Sequence, residues 1–193
     1  MGSARRHSSF QDWHGRNVLA GEEALLGSGR RGVMLHPTMI YGAKGERNVQ
    51  RLAALLRRMP VAPLPGGGRA LVQPIHQSDV TRCLLAALAR DWPAPQAIVL
   101  AGPRAVPYRD FVAAVARAAG ARRPLILPVP GGLLRAILPL ARRIGVLRGV
   151  ADDEVLRLME DKDSDIGPLR HELGVDPIPL ERGLALTFAP HQS

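Results

Sequence analysis

Three observations predict an α/β fold with parallel strand pairing. Short, continuous apolar runs occur at 33–35, 97–101 and 125–127, as expected of strands covered on both faces. The stretches between them carry apolar residues at helical spacing. The two kinds of segment alternate along the chain, which is the order that parallel βαβ units need.

Taken in order, residues 16–27 read as a helix. Next comes Gly27-Ser28-Gly29-Arg30-Arg31-Gly32, a literal G-x-G-x-x-G. That motif binds a dinucleotide when a strand precedes it and a helix follows, so that helix amides meet the pyrophosphate. Here a helix precedes and a strand follows, so it reads as a helix C-cap and an αβ loop. Residues 46–59 return to helical spacing, with Val49, Leu52, Ala53, Leu56 and Met59 on one side and Arg47, Arg51 and Arg58 on the other. Residues 60–68 are rich in proline and glycine and read as a loop. A short extended piece covers 69–76, with Ser78 and Asp79 as candidate N-caps. The helix after it places Val80, Leu84, Ala87 and Leu88 on one face.

The strand at 97–101 is closed by Gly102-Pro103. Pro107 opens a helix that aligns Phe111, Val112, Val115 and Ala119 and stops at Gly120. After the strand at 125–127, residues 131–147 are apolar with Arg135, Arg142 and Arg143 interleaved. Residues 152–161 and 165–173 read as exposed acidic helices, and a last helix begins near Leu180.

Composition narrows the class. The 193 residues are 46% hydrophobic, enough for a packed core. A single cysteine, Cys83, excludes an internal disulfide and a Cys-paired zinc site, and its place on an apolar helix face reads as a buried structural thiol. The six histidines are scattered without metal-ligand spacing, so no metal site is expected. No apolar run reaches the roughly 18 residues of a membrane span. The first ten residues are polar and basic rather than a signal peptide, which makes the cytoplasm the expected location.

The net charge is +9, and all but two of the 26 basic residues are arginines. Residues 1–151 carry 22 basic and 7 acidic residues, whereas 152–193 carry 4 and 10. A basic body fits an anionic partner such as a phosphate ligand, a membrane surface or nucleic acid. An arginine-rich, lysine-poor composition also fits genomic base bias. Aromatic residues, at 4%, are too few for a base-stacking strand binder, and no nucleic-acid partner is expected.

Three stretches carry the functional information. The first is Leu35-His36-Pro37-Thr38-Met39-Ile40-Tyr41-Gly42, with Asn48 soon after. The second is Pro65-Gly66-Gly67-Gly68, then Gln73-Pro74-Ile75-His76-Gln77-Ser78-Asp79-Val80. The third is Leu100-Ala101-Gly102-Pro103, then Pro107-Tyr108-Arg109-Asp110-Phe111. With the tail Leu173-Gly174-Val175-Asp176-Pro177, their order resembles the NAD(P)-dependent epimerase/dehydratase family, the extended or atypical short-chain dehydrogenase/reductases. The resemblance runs from about residue 3 to about residue 186.

The resemblance implies the C-terminal part of a Rossmann-like parallel sheet with a small helical substrate-side domain. Residues 1–102 would supply the late strands and helices, and 103–193 the substrate-side region interleaved with them. It implies NAD or NADP as cofactor and a nucleotide-sugar or similar phosphate-bearing molecule as substrate, and it leaves a homodimer open. Pro37, Thr38 and Tyr41 would lie beside the nicotinamide. Asn48, Arg69 and His76 would face the substrate, where a guanidinium fork suits phosphate oxygens.

The departures matter as much. Nothing in the chain corresponds to the family's glycine-rich dinucleotide loop or its Tyr-x-x-x-Lys, in which the tyrosine is the acid/base. Ser3, or the Ser8 and Ser9 pair, falls near the region of the family's catalytic Ser/Thr. Val72 stands where the family has a substrate-loop arginine. The expectation is therefore a truncated relative that is inactive alone. Two other classes remain: a non-catalytic scaffold module of the same fold, and a binder of anionic surfaces, membrane or nucleic acid, driven by the basic body, with residues 131–147 either a bilayer-surface helix or packed within the substrate-side domain.

Overall fold

A computed structural model describes residues 13–42, 48–130, 132–133 and 163–189. Six helices and eight strands occur among them. They are α1 Trp13–Gly27, β1 Gly32–Pro37, β2 Ile40–Tyr41, α2 Asn48–Arg58, β3 Val61–Pro65, β4 Leu71–Val72, β5 Ile75–His76, α3 Gln77–Leu88, β6 Pro95–Leu100, β7 Val106–Pro107, α4 Tyr108–Ala118, β8 Leu125–Val129, α5 Gly167–Leu173 and α6 Leu180–Phe188. They fall into two compact units. The first comprises 1–47, 73–105 and 163–193, and the second 48–72 and 106–162.

In the first unit β1 pairs in parallel with β6, from Gly32 opposite Pro95 to Pro37 opposite Leu100. β2 pairs in parallel with β5, Ile40 opposite Ile75 and Tyr41 opposite His76. The apolar runs at 33–35 and 97–101 feed the core because both strands are covered. Leu35, Ile98 and Leu100 are buried with Ile75, Val80, Cys83, Trp92, Leu169 and Leu173. α1 is joined to β1 by a pair the sequence did not show, His36 Nε2 to Glu22 Oε2 at 3.0 Å, with both residues buried. α1 ends at Gly27 and β1 begins at Gly32, so the G-x-G-x-x-G stretch is the helix-to-strand turn expected of it, with Gly29 in the left-handed region at φ 64°.

Two expectations for α3 need correction. Its N-cap is His76, whose side chain accepts from the Ser78 amide, while Asp79 lies inside the first turn. The buried face is Asp79, Val80 and Cys83. Leu84 and Leu88 point outward, and Leu88 is 83% exposed. Burial raises the Cys83 thiol to about 11, with Asp79 pushing the same way and Arg82 opposing them. A thiol that stays protonated when folded but ionises nearer 9 when unfolded stabilises the fold below pH 9, and that contribution fades as pH rises towards 11. Native protein at neutral pH is expected to react with a chromogenic thiol reagent only on unfolding. Stoichiometric labelling within the mixing time would contradict this.

The second unit contains a correction of type. Residues 61–65, read as loop for their prolines, form β3, which pairs in parallel with β8 in register from Val61–Leu125 to Pro65–Val129. Pro63 and Pro65 are tolerated because a two-stranded ribbon leaves each strand one open edge. β4 and β7 pair antiparallel. α2 buries Val49, Ala53 and Leu56, and α4 buries Phe111, Val112 and Val115, as their spacing requires. Met59, expected on the apolar face, follows the helix and is 37% exposed. α4 ends at Ala118 and is closed by Gly120, φ 68°, with the Ala121 amide donating to Ala116 O at 2.8 Å.

In the first unit again, α5 spans Gly167–Leu173 within the exposed helix expected at 165–173, and it buries Leu169 and Leu173. Most of 131–147 and all of 152–161 lie outside the described residues. No described helix is long and apolar enough to cross a membrane.

Candidate functional site

In the first unit, the C-terminal end of β1 is held by a network of backbone and amide bonds. The Thr38 amide donates to Leu100 O at 2.9 Å, and its hydroxyl lies 2.6 Å from Gln73 O. The buried Gln73 amide donates to Gly102 O (2.9 Å) and Ser164 O (3.1 Å), and its oxygen accepts from the Ser164 amide (2.7 Å). The Gln73 side chain thus fastens the end of β6 to the segment leading into α5, while its backbone carbonyl takes the Thr38 hydroxyl at the end of β1. Pro37 is buried as the last residue of β1.

Four residues further on, Tyr41 is 1% exposed and meets His76 edge to face, with ring centroids 5.3 Å apart. It lies against Gly183 of α6, where a Cβ would come within 2.0 Å of the phenol oxygen. The hydroxyl faces Leu180 O at 3.5 Å. Burial, followed by the charges of Asp79 and Glu181, drives the phenol far above its ordinary range. Tyr41 is therefore a neutral hydroxyl at every physiological pH and is suited to donating a hydrogen bond, not to abstracting a proton.

His76 uses Nδ1 as an acceptor for the Ser78 amide (3.3 Å), with Ser78 Oγ at 2.7 Å. That leaves the proton on Nε2, the nitrogen turned towards Gly42. Burial lowers its pKa, against an opposing pull from Asp79, so the ring is neutral at pH 7. Gly42 has φ 89°, and a Cβ there would lie 2.3 Å from His76 Nε2. Gly42→Ala is expected to destabilise the first unit by about 2 kcal/mol, read as a lowered melting midpoint. An unchanged midpoint would show that His76 swings clear.

Asp79 is fully buried. One carboxylate oxygen pairs with Arg82 and the other accepts from the Ile178 amide at 2.9 Å. Arg82 also donates to Asp176 O at 2.9 Å, so the Leu173-Gly174-Val175-Asp176-Pro177 tail is anchored on α3.

The structure brings Pro37, Thr38, Tyr41 and His76 into the first unit. Asn48 and Arg69 belong to the second. Asn48 begins α2, and both are exposed. Ser3 lies outside the described residues. In the second unit the glycine loop has three consecutive left-handed residues, Gly66, Gly67 and Gly68. Their amides donate to Val129, Leu64 and Pro65 carbonyls, so none of the three is free to cradle a phosphate. Val72, in the position of the family's arginine, is buried. No group of three or more potential ligands is placed to hold a metal among the described residues.

Sequence reasoning missed Gln73, Ser164 and Gly183. Gly183 carried a usable signal, because a glycine inside a helix is costly and marks a close approach. Gln73 and Ser164 carried none, since their roles rest on partners up to 91 residues away.

No protein-family model matches the chain, and no curated protein matches it. Solved structures do. UDP-glucuronic acid 4-epimerase from Bacillus cereus, in complex with UDP-glucuronic acid and NAD, matches 97% of this chain at TM-score 0.66 and 15% identity, over 58% of its own chain. UDP-glucose 4-epimerase from Bifidobacterium longum, in complex with NAD+ and UDP, matches 97% at TM-score 0.66 and 13% identity, over 61% of its own chain. UDP-glucose 4-epimerase from Thermotoga maritima, with UDP-glucose, matches 91% at TM-score 0.62 and 19% identity, over 52% of its own chain. The chain thus shares the α/β fold of these epimerases along nearly its whole length, and spans about half to three fifths of theirs.

Proposed function

We propose that this chain is the substrate-side part of an NAD-dependent sugar-nucleotide epimerase or dehydratase-like protein. The shared fold over nine tenths or more of the chain carries the reading. In this reading residues 1–102 supply late Rossmann strands and 103–193 the interleaved substrate-side region. Pro37, Thr38 and Tyr41 border the nicotinamide. Of the candidate substrate contacts, His76 belongs to the first unit and Asn48 and Arg69 to the second, with Arg69 as the partner of a nucleotide-sugar phosphate.

The described residues do not fit the dinucleotide's pyrophosphate. The G-x-G-x-x-G stretch joins a helix to a strand, and the Gly66–Gly68 amides are already bonded. No step of hydride transfer is therefore assigned to them, and the chain by itself is expected not to turn over substrate. Calorimetric titration tests both halves of the reading. UDP-glucose should bind weakly, and Arg69→Ala should abolish its binding, while NADH should show no micromolar binding. Tight NADH binding would overturn the second half. UDP-glucose binding that Arg69→Ala leaves intact would overturn the first.

A scaffold role of the same fold is the second reading, because Gln73 and Asp79 are spent on internal bonds. Purification with a stoichiometric protein partner and no nucleotide affinity would favour it.

A further inference from the structure

The charge of the described residues is divided unevenly between the two units. The first carries eight arginines and nine acidic residues. The second carries eight arginines and one acidic residue, Asp110. The chain topology of the second unit then sorts those arginines. α2 and α4 each run into a strand of one parallel ribbon, so both helices end where β3 and β8 begin. The Arg57 Nε donates to Ala119 O at 3.0 Å and the Leu125 amide to Pro60 O at 2.8 Å, which fastens the two helix ends and the two strand starts together. Arg57, Arg58, Arg117, Arg122 and Arg123 therefore share one end of the unit, and all five are exposed. Asp110 lies in the first turn of α4, at the opposite end.

Apolar side chains share this end. In the parallel register Val61 and Leu125, then Pro63 and Leu127, project from one face of the ribbon, while Ala62 and Leu64 are buried on the other. Leu125 is 63% exposed and Leu127 44%. Arginines at helix C-termini complement the helix dipole, which accounts for Arg57 and Arg117. It accounts neither for Arg122 and Arg123, which follow the helix, nor for bare leucines beside them.

We propose that this end of the second unit is a peripheral docking surface for an anionic phospholipid bilayer. Guanidinium groups would meet the headgroup phosphates, and Leu125 and Leu127 would enter the interface. Nucleic acid is disfavoured, because apolar leucines rather than aromatic rings accompany the arginines.

The test is sedimentation of the full chain with vesicles. One set is phosphatidylcholine alone, and the other has about one third phosphatidylglycerol. Binding is expected only to the anionic set, and it should weaken steeply with salt. Each arginine near such a surface strengthens binding roughly fivefold, so Arg58→Gln, Arg122→Gln and Arg123→Gln together should weaken it about a hundredfold. Leu125→Gln with Leu127→Gln should weaken it about tenfold at all salt concentrations. All five side chains are exposed, and an unchanged thermal melt confirms folding. Equal binding to neutral vesicles, no binding, or full binding by the triple arginine variant would each overturn the proposal. The last result would move the interaction to 131–147. Tighter binding to duplex DNA than to the anionic vesicles would overturn it in favour of a nucleic-acid surface.

Discussion

Gly102→Ala is expected to destabilise the first unit by about 3 kcal/mol, the upper end of ordinary overpacking costs, and to lower the melting midpoint by roughly 6–12 °C. The backbone at Gly102 suits any L-residue, since it is not in the left-handed region. The obstacle is space. A Cβ there would lie 2.1 Å from the Pro74 carbonyl oxygen, a backbone atom that cannot rotate away. Relief requires moving the 102 segment away from 74, but the Gly102 carbonyl is bonded to Gln73 Nε2, and Gln73 is itself fastened to both polar groups of Ser164. The clash therefore loads the whole network that closes the ends of β1 and β6. Gly21→Ala is the control. It lies inside α1 with no atom within 4 Å, and alanine is the better helix former by about 1 kcal/mol, so that variant should be neutral or more stable. A Gly102→Ala protein melting within a degree of the parent would remove the steric argument.

That contrast also separates what could be read in the sequence from what could not. The strands at 33–35, 97–101 and 125–127 were legible from their continuous apolar runs, and all three occur in parallel pairs, but the third is not covered on both faces, since Leu125 and Leu127 are exposed. α2 and α4 were legible from their periodicity. β3 was not, because Pro63 and Pro65 look like breakers until the ribbon's free edge is known. Gly102 was seen only as a strand terminator. Its contact with Pro74, some 28 residues earlier, is set by the crossover and leaves no local trace. The candidate site shows the same division. Pro37, Thr38, Tyr41 and His76 stand out by their motif, whereas what holds them is distributed over segments near 73, 102, 164 and 183.

Asp79 is where those distant constraints meet most strongly. Asp79→Ala is expected to cost about 3 kcal/mol. It strips the Ile178 amide of its acceptor, across 99 residues of sequence, and leaves a void in a fully buried position. Arg82 is half exposed and regains water, so the lost ion pair contributes the smaller share. Asp79→Asn retains an accepting oxygen for Ile178 and should cost about half as much. The charge has a separate signature. Asp79 raises the pKa of Cys83 and Tyr41 by disfavouring their anions, and raises that of His76 by favouring its cation. Removing the charge in Asp79→Asn should therefore move all three downward. Cys83 should react with a thiol reagent at a lower pH than the parent, whose thiol titrates at about 11. The His76 imidazole resonance should titrate at a lower pH as well. A cavity or a general loosening would expose both groups and move His76 upward, towards its solvated value, while Cys83 moves down. A parallel fall of the thiol and the imidazole thus identifies the lost carboxylate charge. Opposed shifts would mean that Asp79 acts on the candidate site only through packing.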